Sequence, residues 1–505
     1  MEIFRYKRSF KKALLWAALA ILFIYRNRAS VTYPLFMAST LGILAWDCKS
    51  MGKSLIRNLD GKFDIKLFYC IVLMLLSIHK CISSSVDLQF GSGMGILLIF
   101  SCLLLKIYSN QEAKEITAML CKLGQLMIVP LKNIAKPFTD SKAVKQAKAM
   151  AAAGMGGEGV AQESTGKKTV KSVLLGLVIA IPLLWIILAL LSSADLVFGN
   201  IVEDILDCIH LPELTEDWFG IPFKFVLSFL AFYAWTACLP AEIFPESSAP
   251  KKFDAVVAIT FNSLIAVVYL LFSGIQFVYL VGQMELPKGY TYAEYAHEGF
   301  YQLLAVTILN LILVSFCKKH FADNKVLKAI LLIISVCTYV MIASSALRMY
   351  LYVGVYGLSH LRVYVLWLLV ILTVWTTILI AGIFRENIPY FRIITVFVSV
   401  WYLVFAFSMP DKWITAYDLS LKNVPTDPVY EVYPDAAPIL KEDGRFWTDY
   451  CRYLHNDLDE YREKNILSFA REYNFSEDYA MRLIEKENLG SDDYDYRYDR
   501  NMLFG

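Results

Sequence analysis

Glu294, His297 and Glu298 stand at i, i+3 and i+4, so on a helix they share one face. Glu-x-x-His at this spacing presents metal ligands in carboxylate-bridged di-metal bundles, which need a second copy on another helix. The sequence has no second copy, so no metal site is expected. Thr291-Tyr292-Ala293-Glu294 has capping-box spacing, which makes Glu294 a helix cap. His297 and Glu298 are then left to pair with Arg348 or Arg362. Arg348 closes a long apolar run, and an arginine at a lipid-facing helix centre costs roughly 2.5–3.5 kcal/mol. It is therefore expected near the end of its helix or turned inward. Tyr350, Tyr352 and Tyr356 suit either an interfacial aromatic belt or a ligand site, and the belt is the better account. With Asp195, these residues form an expected outer-face polar cluster: Asp195, Glu294, His297, Glu298, Arg348, Tyr356 and Arg362.

Other candidates carry less. Asp207, Cys208 and His210 supply three possible ligands but no convincing fourth. Gly91-Ser92-Gly93-Met94-Gly95 lacks the strand–turn–helix setting of a phosphate loop and suits close helix packing instead. Asn262, Gln276 and Asn310 lie within apolar runs, where amides hydrogen-bond between helices. No nucleotide-binding, kinase, protease or hydrolase signature is present. No catalytic residue, cofactor or nucleic-acid partner is expected. The ten cysteines form no C-x-x-C pair and mostly sit in apolar runs, as small buried hydrophobes do.

The elements that must position these residues are membrane helices. Of the 505 residues, 57% are apolar and only 19% charged, and the apolar ones come in long uncharged runs such as 173–191 and 329–347. A bilayer core needs about 20 such residues per helix. Eleven apolar segments can be drawn: 13–28, 31–46, 67–82, 91–107, 172–193, 221–240, 255–281, 300–316, 329–347, 363–384 and 393–409. Lys and Arg accumulate in cytoplasmic loops. With the N-terminus inside, alternate loops carry 29 Lys/Arg against six on the other side. The expected fold is all-α: a polytopic transmembrane bundle of about 11 spans with a small, hydrophilic, helical C-terminal tail, N-terminus cytoplasmic and tail extracytoplasmic.

Four parts follow: a four-span N-terminal part (1–108), a cytoplasmic amphipathic helix and flexible linker (109–171), a seven-span core (172–409), and an acidic, Tyr-rich helical tail (410–505) disordered after about 490. The 112–129 stretch places Ile116, Met119, Leu120, Leu123, Leu126 and Met127 at helical spacing, fitting a helix on the cytoplasmic leaflet or one docked on the protein. The loop 193–220 holds seven acids and no Lys or Arg. In the tail, helices are expected along Phe446–Tyr461, around 465–473, and from an N-cap at Ser476 to Gly490.

From span five onward the chain resembles a bacterial multi-pass family known as domain of unknown function 4173. The resemblance rests on Ser193-Ala194-Asp195, Tyr292-Ala293-Glu294-Tyr295 with Gly299-Phe300, and Leu347-Arg348 with Tyr350. It continues through Tyr356-Gly357-Leu358 with Arg362, Pro410-Asp411 with Ile414 and Ala416-Tyr417, and Asp435-Ala436-Ala437-Pro438. It implies a bacterial inner-membrane protein and brings no activity, cofactor or catalytic residue.

Three functions are consistent with these features. The first is a non-enzymatic plasma-membrane protein of envelope sensing, scaffolding or regulation, with the lipid bilayer around it and an envelope or protein partner on its tail. The second is a transporter or channel lined by Asn262, Gln276, Asn310 and Arg348. The third is an enzyme on an envelope lipid or glycan using Glu298, His297 or Asp195.

Overall fold

The computed structural model describes residues 2–25, 27, 29–57, 63–108, 116–153, 216–239, 252–281, 292–385, 388–421, 432–454 and 471–486. Among them the chain is helical, with only isolated bridges at Arg57–Phe63 and Phe253–Phe321. The helices are α1 (Glu2–Ile24), α2 (Thr32–Ser50), α3 (Ile65–Ile82), α4 (Val86–Tyr108), α5 (Ile116–Lys132), α6 (Lys136–Ala153), α7 (Glu216–Ala237) and α8 (Ala255–Val281). They continue with α9 (Tyr292–His320), α10 (Lys325–Tyr356), α11 (His360–Phe384), α12 (Tyr390–Phe407) and α13 (Pro410–Ser420). A 3₁₀ turn (Pro434–Ala436) and the short α14 (Ala437–Asp443), α15 (Trp447–Tyr453) and α16 (Phe475–Glu485) complete the order.

Eight of these, α3, α4 and α7–α12, are long and apolar enough to cross a membrane. The chain is a multi-pass membrane protein. The expected spans 13–28 and 31–46 fall largely in α1 and α2, which are not among the eight; α1 carries Arg5, Lys7, Arg8, Lys11 and Lys12 in its first half. The expected span 172–193 lies outside the described residues. On α8, Leu264, Val268, Leu271 and Ile275 follow one another at helical spacing and are exposed, as a lipid-facing stripe would be.

The contacts divide the chain into two compact units, 1–21 with 130–237 and 22–129 with 238–505. In the first, α6 is anchored by Asp140, fully buried, whose carboxylate accepts from Arg5 Nε at 2.8 Å, from Arg5 Nη2 at 2.6 Å and from the Tyr233 hydroxyl at 2.7 Å. The sequence reading placed 141–153 in a flexible linker. That stretch is helical instead, because its alanine-rich composition favours helix and Asp140 fixes its first turns. Residues 154–168 of that linker lie outside the described residues.

In the second unit the seams between α8, α9 and α10 carry the expected amide bonds. Asn310 donates to Thr338 Oγ1 at 3.0 Å, Ser344 donates to Gln276 at 2.6 Å, and Asn262 reaches Cys317 Sγ at 3.4 Å. Gly91 lets α4 approach α12: a Cβ there would stand 2.5 Å from the Tyr402 hydroxyl oxygen.

The turns sort to two ends. At one, Phe253 N donates to His320 O at 2.7 Å and Ala322 N to Phe253 O at 2.9 Å, joining the turns before α8 and after α9. Lys318 donates to the Tyr390 hydroxyl at the start of α12, and Lys53 reaches Ile107 O at the end of α4. The turns α1–α2, α3–α4 and α10–α11 meet the chain after α12 at the other end.

Candidate functional site

The α3–α4 turn is Ser83-Ser84-Ser85, three small polar residues that free the backbone and offer hydroxyls. Asp435, in the 3₁₀ turn, is buried against it. One oxygen accepts from Ser83 Oγ at 2.5 Å; the other accepts from Ser84 N at 2.7 Å and Ser84 Oγ at 2.5 Å. Tyr433, two residues before, donates to Asp87 Oδ2 at 3.4 Å in the first turn of α4.

Asn474 works in two directions. Its side-chain oxygen caps α16 by accepting from Ser476 N at 3.0 Å and Glu477 N at 3.3 Å. Its amide nitrogen donates to Ser83 O at 2.9 Å and Lys80 O at 3.3 Å, the carbonyls α3 leaves open at its end. The sequence reading put the cap at Ser476; the cap is Asn474, whose side chain reaches the two backbone donors that follow. Beside it, Val31 N donates to Tyr473 O at 3.0 Å and Asn27 donates to Arg471 O at 2.7 Å, tying the same segment to the α1–α2 turn.

The α10–α11 turn is held by a third tail group. Asp418 Oδ1 accepts from Leu358 N at 2.7 Å. Gly357 has φ +76°, and a Cβ there would lie 2.7 Å from that same oxygen. Arg362 donates to Tyr356 O at 2.8 Å and Gly357 O at 2.7 Å, with its guanidinium 4.5 Å from the Tyr352 ring centre.

At the centre, His360 Nε2 is 2.7 Å from Asp411 Oδ1, and its Nδ1 is 3.8 Å from Asp87 Oδ2. Its ring meets Tyr433 edge-on at 5.3 Å. Asp411 is 2% exposed, and its Oδ2 has no hydrogen-bond partner among the described residues. Burial raises its carboxyl above the ordinary 3.8, against the lowering pull of His360. The Tyr450 hydroxyl, also buried without a partner, is pushed up by burial and by Asp435 and Asp411. The group is a hydrogen-bonded imidazole–carboxyl pair, His360 with Asp411, with a second carboxylate, Asp87, 3.8 Å from the other ring nitrogen. Among the described residues no set of three metal ligands stands together.

Of the residues singled out from sequence, Arg362 and Tyr356 meet, through the Tyr356 carbonyl and the adjoining Tyr352 ring. Arg348 is half-buried on α10, two turns before Tyr356. Glu294, His297 and Glu298 lie on the first turns of α9, and their side chains are outside the described residues, as is Asp195. The sequence reading did not single out Asp87, His360, Asp418 or Asn474, and it named Asp411 and Asp435 only within motifs of the family resemblance. The signals were a run of serines at a span end and isolated acids just past the last span.

A family model for a domain of unknown function, DUF4153, matches residues 68–442, most of the chain. The chain belongs to the DUF4153 family. The match is to a different family from the 4173 family that the sequence resembles, but to one of the same kind, whose function is likewise uncharacterised. The DUF4153 match begins in α3, ahead of span five where that resemblance began, and takes in Asp87, His360, Asp411, Asp418 and Asp435. It stops before α15 and α16. No curated relative and no solved structure matches this DUF4153 chain.

Proposed function

We propose that this DUF4153 protein is a non-enzymatic membrane protein of the bacterial plasma membrane that senses, scaffolds or regulates at the envelope, with its tail as the interaction element. The observation that carries this reading is the docking of the tail: Asp418, Asp435 and Asn474 each grip a turn between spans. A partner that pulls on or braces the tail therefore acts directly on α3, α4, α10 and α11. The extracytoplasmic side is supported by charge, since Lys252, Lys318, Lys319, Lys325 and Lys328 lie at the opposite end. The amide nitrogens of Asn262 and Asn310 and the side-chain oxygen of Gln276 are engaged between helices, which supports a packing role for these residues.

The test is complementation of a deletion strain by the full chain, by Asp435→Ala, and by a chain ending at 410, each checked for equal membrane abundance. Under this reading both altered chains fail to rescue envelope phenotypes. Full rescue by the chain ending at 410 would remove the tail from the function.

A further inference from the structure

The α5–α6 junction and α6 carry a surface that the tail reading does not use. Within the first unit, Asp140 binds Tyr233, and Arg8 donates to Thr236 O, both partners lying in the last turns of α7. The apolar stretch of α7 ends at Ala237. Ring contacts of Phe10 with Phe229 and Trp16 with Phe232 hold α1 along the same helix. α6 is thus pinned where α7 leaves the apolar layer, at headgroup depth.

Pro137, Asp140 and Val144 form its inward stripe. The outward surface is apolar and cationic. Leu131, Ile134 and Phe138 are 70%, 50% and 51% exposed, beside exposed Lys132, Lys142 and Lys145 and half-buried Lys136. The only acid in residues 130–153 is Asp140, which faces inward. Within residues 130–153 no second acid is available to offset these lysines.

We propose that this element lies on the bilayer surface and binds anionic phospholipid headgroups, with Leu131, Ile134 and Phe138 inserted at the acyl boundary and the lysines on the phosphates. Large apolar residues among lysines, spread over a helix end, a turn and the start of the next helix, supply the two contacts an interfacial anchor uses, acyl insertion and headgroup charge. Each lysine near an anionic leaflet is worth about a fivefold gain in partition.

The test places an environment-sensitive fluorescent residue at position 138 of the full chain, in nanodiscs of phosphatidylcholine alone or with phosphatidylglycerol. The expected result is blue-shifted, brighter emission with phosphatidylglycerol, partly reversed by salt. The combined variant Lys132→Gln, Lys136→Gln, Lys142→Gln and Lys145→Gln loses the lipid dependence. The same probe at position 131 repeats the reading where position 138 is not tolerated. Emission that is equal in both bilayers and indifferent to the lysines overturns the proposal. So does water-like emission in the anionic bilayer, which would leave the surface to an acidic protein partner.

Discussion

Ser84 gives both its backbone N–H, at 2.7 Å, and its hydroxyl, at 2.5 Å, to the same oxygen of Asp435. A buried carboxylate with this many donors is fixed in place, and removing it strands the donors. Asp435→Ala is expected to cost roughly 3 kcal/mol, within the range for breaking a buried, charge-assisted hydrogen-bond set. Asp435→Asn keeps one acceptor oxygen and should cost less. Thermal unfolding in detergent, read beside protease access to the tail, checks both. Equal tail protection in wild type and Asp435→Ala would contradict the clamp.

Gly357 answers to two separate constraints, and they can be pulled apart. Its φ of +76° with ψ −174° lies in a region essentially reserved for glycine, at about 1–3 kcal/mol for a residue with a Cβ, and Asp418 Oδ1 occupies the space a Cβ needs. Gly357→Ala is therefore expected to destabilise by more than the conformational cost alone. In an Asp418→Ala background the clash with the carboxylate vanishes and the same substitution falls back to the conformational cost, about 1–3 kcal/mol. A double-mutant cycle on thermal stability measures the difference.

The membrane helices were legible because their signal is local. Runs such as Ala329–Leu347 are uncharged over a whole span, and the sidedness of the lysine-bearing turns matches the end where Phe253 meets His320. α1 was harder, because a run of basic residues shares its helix with a short apolar stretch. The tail clamp was illegible for a different reason. Ser83 and Asp435 are 352 positions apart, and each alone is an ordinary surface residue type. Asp411 carried a trace in the Pro410-Asp411 pair, but its partner His360 opens a span and reads there as an interfacial residue. Such pairs come from tertiary packing, which hydropathy and periodicity do not encode.

Asp411 makes the docked state sensitive to pH in a definite direction. Burial raises its carboxyl above 3.8, so the folded state binds the proton more tightly than the unfolded chain. Its contribution is then fully present below 3.8 and is lost as pH rises through the raised value. Asp411→Asn, neutral throughout, should flatten that part of the stability profile. His360→Ala removes the hydrogen bond that lowers the carboxyl and should move the window to higher pH. Asp87, Asp435, Tyr433 and Tyr450 surround the pair and remain in both variants. Thermal midpoints measured across the acidic range for the three proteins test the order, and a profile unchanged in Asp411→Asn would assign the slope to another group.

The side of the membrane that the tail occupies is open to labelling, but not at its native cysteine. Cys451 is fully buried in the tail core with Tyr450, Leu440 and Met481, so a maleimide is expected to reach it only after unfolding. Asp449, two residues earlier, has a side chain 61% exposed. Under the proposed extracytoplasmic tail, Asp449→Cys reacts in intact cells with a membrane-impermeant maleimide while Cys451 stays silent. Reaction of Asp449→Cys only after permeabilisation would put the tail in the cytoplasm. The partner sought for Asp418, Asp435 and Asn474 to transmit would then be a cytoplasmic one.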